Sequence, residues 1–98
     1  MNIPRSLRIG GIRWRVKFDD NLNEVNNANG ICDRKNCIIF IDSSLSRQQA
    51  EVTLLHEILH AICWQSGILE QIDCDAEEKV VNALAYPLHQ VLLENKLL

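Results

Sequence analysis

Residues 51–64 read Glu51-Val-Thr-Leu-Leu-His56-Glu57-Ile-Leu-His60-Ala-Ile-Cys-Trp64. Outside one narrow stripe nearly every position is apolar: Val52, Leu54, Leu55, Ile58, Leu59, Ala61, Ile62, Cys63 and Trp64 surround Thr53, His56, Glu57 and His60. The four polar residues recur at i, i+3, i+4 and i+7, the spacing of one face of an α-helix. A helix that is apolar on its other sides is buried on most of them. Burying two imidazoles and a carboxylate without partners costs several kcal/mol. A metal ion in a water-filled cleft removes that cost. His56 and His60 project from nearly the same face, four residues apart, and can hold one ion. Glu57 is turned about 100° away, where it flanks the ion and can take a proton from a water on it. The stretch therefore predicts a metal centre, with zinc the expected ion.

The surrounding residues give this helix its ends. Ser46 is a fitting N-cap with Gln49 three residues on, and Gly67 is a natural stop, so the helix is expected over 47–66. A second helix is expected from Asp75 or Ala76, with acidic residues in its first turn suiting the helix dipole. Pro87 should end or kink it, with a further helix over 88–97. The first half of the chain reads as strands. Residues 6–9 lead through Gly10-Gly11 into 12–18, where Ile12, Trp14, Val16 and Phe18 alternate with Arg13, Arg15 and Lys17. Residues 19–30 hold five asparagines and read as a loop or irregular turn. Residues 31–33 and 38–42 form a second hairpin across Arg34-Lys35-Asn36-Cys37. The apolar run Ile38-Ile39-Phe40-Ile41 suggests a strand buried on both faces. Strands followed by helices make an α+β protein.

Composition narrows the function classes. A chain of 98 residues is expected to be one domain, 1–98, with a small core. With 47% hydrophobic and 23% charged residues it is globular, neither disordered nor fibrous. Ten basic against thirteen acidic residues weigh against a nucleic-acid partner. Arg5, Arg8, Arg13, Arg15 and Lys17 do cluster, but without interleaved aromatic residues. No apolar run approaches the roughly 18–20 residues that span a membrane. Residues 1–11 lack the apolar segment of an export signal, so a cytoplasmic location is expected. Four cysteines, Cys32, Cys37, Cys63 and Cys74, would allow two disulfides in three pairings, but a reducing compartment makes free thiols the expectation.

A catalytic zinc needs a third protein ligand and an open position. Glu70, Asp73, Cys74, Asp75, Glu77 and Glu78 are the downstream candidates. Glu78 shares a helical face with Asn82, one turn on, which could hydrogen-bond a ligand or the nearby backbone. Spacing alone leaves Glu78 level with its neighbours, chiefly Glu77.

His56-Glu57-Ile-Leu-His60 followed by Glu78-x-x-x-Asn82 resembles the gluzincin arrangement, and the chain is similar to the small ImmA/IrrE-type metallopeptidases of phages, mobile elements and bacteria. The likeness spans roughly residues 30–88. The family's Glu-x-x-Ala-Asn-x-Phe-Ala box is met at Glu78, Asn82 and Ala85, with Val81 and Leu84 in place of alanine and phenylalanine. The glycine often found before the second histidine is Leu59 here. The resemblance implies a minimal zincin-like fold, antiparallel strands before the His-Glu-x-x-His helix and a Glu-bearing helix. It implies His56, His60 and Glu78 as zinc ligands, Glu57 as general base, and hydrolysis of a protein or peptide substrate, weakly a regulatory protein. Tyr86 and His89 are candidates to stabilise the oxyanion, although packing is the plainer role for both. His89 lies eleven residues after Glu78, on nearly the same helix face were Pro87 not to intervene. The alternative is a metal-stabilised interaction or regulatory protein with little turnover; retention of Glu57 favours the enzyme.

Overall fold

The computed structural model describes residues 2–97. Strand β1 (Ser6–Ile9) turns at Gly10-Gly11 into β2 (Ile12–Asp19), and the two pair antiparallel. Strands β3 (Gly30–Asp33) and β4 (Ile38–Asp42) form a second antiparallel hairpin. The hairpins join through a parallel pairing of β2 with β4, which puts Arg15 opposite Ile38 and Asp19 opposite Asp42. The sheet order is β1-β2-β4-β3, so β3 is an edge strand. Antiparallel pairing holds within each hairpin, and the link between them is parallel. Such a link needs a crossover of about a dozen or more residues, which residues 20–37 supply. Inside that crossover the asparagine-rich stretch contains a short helix, α1 (Leu22–Asn26), where a loop or irregular turn was expected. Its anchors are tertiary: Leu22 is buried, the Asn23 N–H donates to Asp42 Oδ1 at 3.0 Å, and Asn27 closes it with φ 51°.

Helix α2 (Arg47–Ser66) has the expected ends. Ser46 accepts from the Gln49 N–H, the Gln49 side chain accepts from the Ser46 N–H, and Gly67 stops the helix in the left-handed region at φ 77°. A 3-10 turn (Ile68–Glu70) leads to α3 (Cys74–Glu94), whose N-cap Asp73 accepts from the Ala76 N–H at 2.7 Å. The sequence predicted an end or a kink at Pro87 and a further helix beyond it; α3 does not end there but runs through Pro87 to Glu94 as one helix. Proline removes one intrahelical hydrogen bond and crowds the preceding turn, at a cost of about 3 kcal/mol. Packing on both sides of it holds the helix: Glu77, Val81, Ala85 and His89, spaced by four, form a buried ridge.

Helix α2 lies between the sheet and α3, touching β1, β3 and β4 on one side and α3 on the other. The core is Ile9, Trp14, Val16, Ile39 and Ile41 from the sheet against Ala50, Leu54 and Ala61 from α2. Only the middle of β2 joins it, because Ile12 and Phe18 at its ends are exposed. Trp14 is fully buried, donates from Nε1 to Gln65 Oε1 at 2.6 Å and meets Trp64 edge-on at 6.2 Å. Gln65 Nε2 donates onward to the Ile9 carbonyl, which ties the end of α2 to β1. Among the described residues no helix is long and apolar enough to cross a membrane.

Two features of this frame are testable. At Gly30 a Cβ would stand 2.6 Å from Thr53 Cγ2 and 3.1 Å from Glu57 Cγ, so β3 reaches α2 only without a side chain. Gly30→Ala should cost about 1–3 kcal/mol in urea denaturation, and clearly less in a Thr53→Ser background that removes the clashing methyl. Hydrogen bonds from the Ser44 hydroxyl and the Asn23 N–H hold the Asp42 carboxyl below the usual carboxylate range. That stabilisation is present above the unfolded-chain value of about 3.9 and is lost as pH falls through the lower folded value. The urea midpoint of the wild type should therefore fall more steeply below about pH 4 than that of Asp42→Asn.

Candidate metal centre

Two helices build the cluster. The third and fourth turns of α2 present His56 and His60 on one face, and the first turns of α3, running antiparallel, present Glu77 and Glu78 to them. His60 Nε2 stands 3.1 Å from His56 Nε2 and 3.0 Å from Glu78 Oε2, and His56 Nε2 stands 3.4 Å from Glu78 Oε1. One ligand atom from each of His56, His60 and Glu78 falls within a sphere of mutual distances of 4.8 Å. This is the one such set among the described residues. A carboxylate only accepts hydrogen bonds, and a neutral imidazole has one accepting nitrogen. Three acceptors facing one point call for a proton or a cation there. The histidines are partly buried, while Glu78 is half exposed at the cleft side. Burial first, then the nearby His60, lowers the His56 pKa against the pull of Glu78, which favours the neutral imidazole that ligates metals.

Glu57 is buried, with Oε2 at 3.9 Å from His56 Nε2, beside the set and outside it. Burial pushes its carboxyl up to about 7; His60 opposes this and Glu78 adds to it. A carboxyl near neutrality can both take and return a proton. The cluster separates two hollows. One, of about 350 Å³, is lined by Asn29, Gly30, Thr53, His56, Glu57, Glu78, Asn82 and Tyr86. The other, of about 300 Å³, is lined by Gly30, Ile31, Cys32, Arg34, His56, Glu57, His60 and Glu78. The edge strand β3 therefore forms a wall of both.

The sequence candidates divide accordingly. Glu78, Asn82 and Tyr86, spaced by four, share the cleft side of α3. His89 does not reach the cluster. With α3 unbroken it lies on nearly the face of Glu78, but eleven residues carry it about 16 Å along the axis. It is buried there and pairs with Glu51 Oε1 at 2.9 Å, so the structure withdraws it as an oxyanion stabiliser. Glu77, the rival for third ligand, turns instead to the outer nitrogen of His60, Nδ1 to Oε1 at 3.3 Å. Arg34, which sequence reasoning passed over, reaches Glu77 Oε2 at 3.7 Å from the β3–β4 turn. The only trace of this in the sequence is the Glu77-Glu78 doublet, because adjacent helical residues diverge by about 100° and can address two sides of one ring. Among the cysteines, Cys32, Cys37 and Cys63 are partly buried and Cys74 is exposed. Burial, with the charge of Glu57 added, pushes the Cys32 thiol up to about 12.

No curated protein and no solved structure matches the chain. A family model does, over residues 17–88, from the end of the inner strand β2 through the cluster to just beyond Pro87. It is described as the IrrE N-terminal-like domain of a peptidase family. That match covers roughly three quarters of the chain and contains His56, Glu57, His60 and Glu78, so this protein is a metallopeptidase-like domain that belongs to the ImmA/IrrE-type family.

Proposed function

We propose that the protein is a zinc-dependent endopeptidase acting on a protein substrate in the cytoplasm, with a regulatory protein as the target class. The observation that carries this reading is the convergence of His56, His60 and Glu78 within 4.8 Å beside the buried Glu57. The donor set suits zinc: two imidazole nitrogens and one carboxylate oxygen, with the cleft side left open for water and substrate. When bound, zinc supplies Lewis acidity that lowers the pKa of a water and polarises a peptide carbonyl.

The chain's own residues do the rest. Glu57 takes a proton from the attacking water and returns it to the leaving amine. The unpaired edge of β3 offers main-chain hydrogen bonds to an extended peptide, which brings a backbone carbonyl alongside the cluster. The Tyr86 hydroxyl, in the larger hollow, is the remaining candidate to donate to the oxyanion, and Asn82 in the same row can hold the substrate backbone.

The test compares zinc-loaded wild type with Glu57→Gln on a fluorogenic peptide library and on candidate repressors. Hydrolysis should fall by about 10²–10⁴-fold in the variant, at an unchanged stoichiometry of bound zinc. Equal activity in both proteins, or no activity in either at full zinc occupancy, would overturn the peptidase reading; the second outcome would favour a metal-stabilised interaction protein.

A further inference from the structure

Glu77 is almost completely buried, at 2% exposure, although it is ionisable and occupies the first turn of a surface helix. Carboxylates are seldom buried so deeply without partners. Its three partners come from α2 and the β3–β4 turn. His60 Nδ1 lies 3.3 Å from Oε1, Arg34 Nη2 lies 3.7 Å from Oε2, and the Cys63 thiol is kept protonated by burial first and then by this carboxylate. His60 is thus held through both ring nitrogens by consecutive residues of α3, with Nδ1 on Glu77 and Nε2 3.0 Å from Glu78. An acceptor at Nδ1 leaves the proton on that nitrogen and the lone pair on Nε2, facing His56 and Glu78.

We infer that Glu77 is a positioning residue: braced by Arg34, it fixes His60 in the Nδ1–H tautomer with Nε2 aimed at the metal. The inference rests on the zinc reading of the cluster, and it adds that the β3–β4 turn takes part in setting metal affinity. Arg34 is the only one of the three partners that stands on the sheet. Its guanidinium is partly exposed in the smaller hollow, so the contact joins the β3–β4 turn to α3 beside the cluster. An apolar residue at position 77 would pack as well against α2 but would leave His60 free to turn over.

The experiment uses the full chain, with two readouts. Zinc affinity, by chelator competition, should weaken about 10–100-fold in Glu77→Ala. Glu77→Gln keeps an accepting oxygen for Nδ1–H and should stay within about tenfold of wild type. Imidazole ¹⁵N spectra of the metal-free protein, recorded at alkaline pH, should show His60 protonated on Nδ1 in wild type and lose that preference in Glu77→Ala. If Glu77→Ala does not fold, the wild-type spectrum and the Glu77→Gln affinity decide. The inference is overturned by His60 carrying its proton on Nε2 in the metal-free wild type, or by a folded Glu77→Ala that binds zinc as tightly as wild type. Failure of wild type to bind zinc would overturn the metal reading instead, while the same spectra still decide the role of Glu77.

Discussion

The seam between α2 and α3 buries ionisable side chains, and the rest of the molecule is arranged around that constraint. Glu51, Glu57, Glu77 and His89 are all nearly inaccessible, in a chain with only a small core to spend on them. An ionised group moved out of water loses several kcal/mol of hydration unless partners replace it. The seam supplies partners by register. Glu77 meets His60 at one end, and His89 meets Glu51 at the other. Among the described residues no buried side-chain nitrogen or oxygen lacks a hydrogen-bond partner. A shift of α3 by one turn would part Glu77 from His60 and His89 from Glu51, so the same pairs that cost hydration also select one alignment of the two helices.

That alignment is what makes a site. The buried ridge of α3, Glu77-Val81-Ala85-His89, packs on α2, and the neighbouring row, Glu78-Asn82-Tyr86, is left facing the cleft. Placing the ridge therefore places the row. The sheet fixes the other side. Trp14 and Gln65 tie the far end of α2 to the first hairpin, and the bare backbone at Gly30 lets β3 lie close against Thr53 and Glu57. The outcome is a carboxyl with a raised pKa next to three converging ligand atoms, walled by an unpaired strand edge. Arg34 closes the circuit, carrying a contact from the hairpin turn back to the helix that holds the carboxylates.

Where sequence reading and structure agree, the signal is local. Ser46, Gln49 and Gly67 mark the ends of α2 by backbone chemistry that involves only a few neighbouring residues. The His56–Glu57–His60 spacing orients three side chains by helical geometry alone. Where they differ, a distant partner intervenes. Helix α1 forms among asparagines because Asp42 and the core receive it, and α3 survives Pro87 because its buried ridge continues on both sides. His89 shares a face with Glu78 as angular reasoning says, but height along the axis sends it to Glu51.

The sequence by itself determined the fold class, the limits of the central helix, the two histidines and the neighbouring glutamate, because helix periodicity and capping act over one or two turns. For a third ligand it left Glu78 level with its neighbours, chiefly Glu77, and resemblance to a family pointed to Glu78. Only the tertiary structure decided that Glu78 faces the inner nitrogen of His60 while Glu77 meets the outer one and pairs with Arg34, and that β3 is an edge strand beside the cluster. Those outcomes depend on the register between α2 and α3 and on the parallel joining of two hairpins. Both are set by pairings between residues far apart in the chain, and no local pattern encodes them.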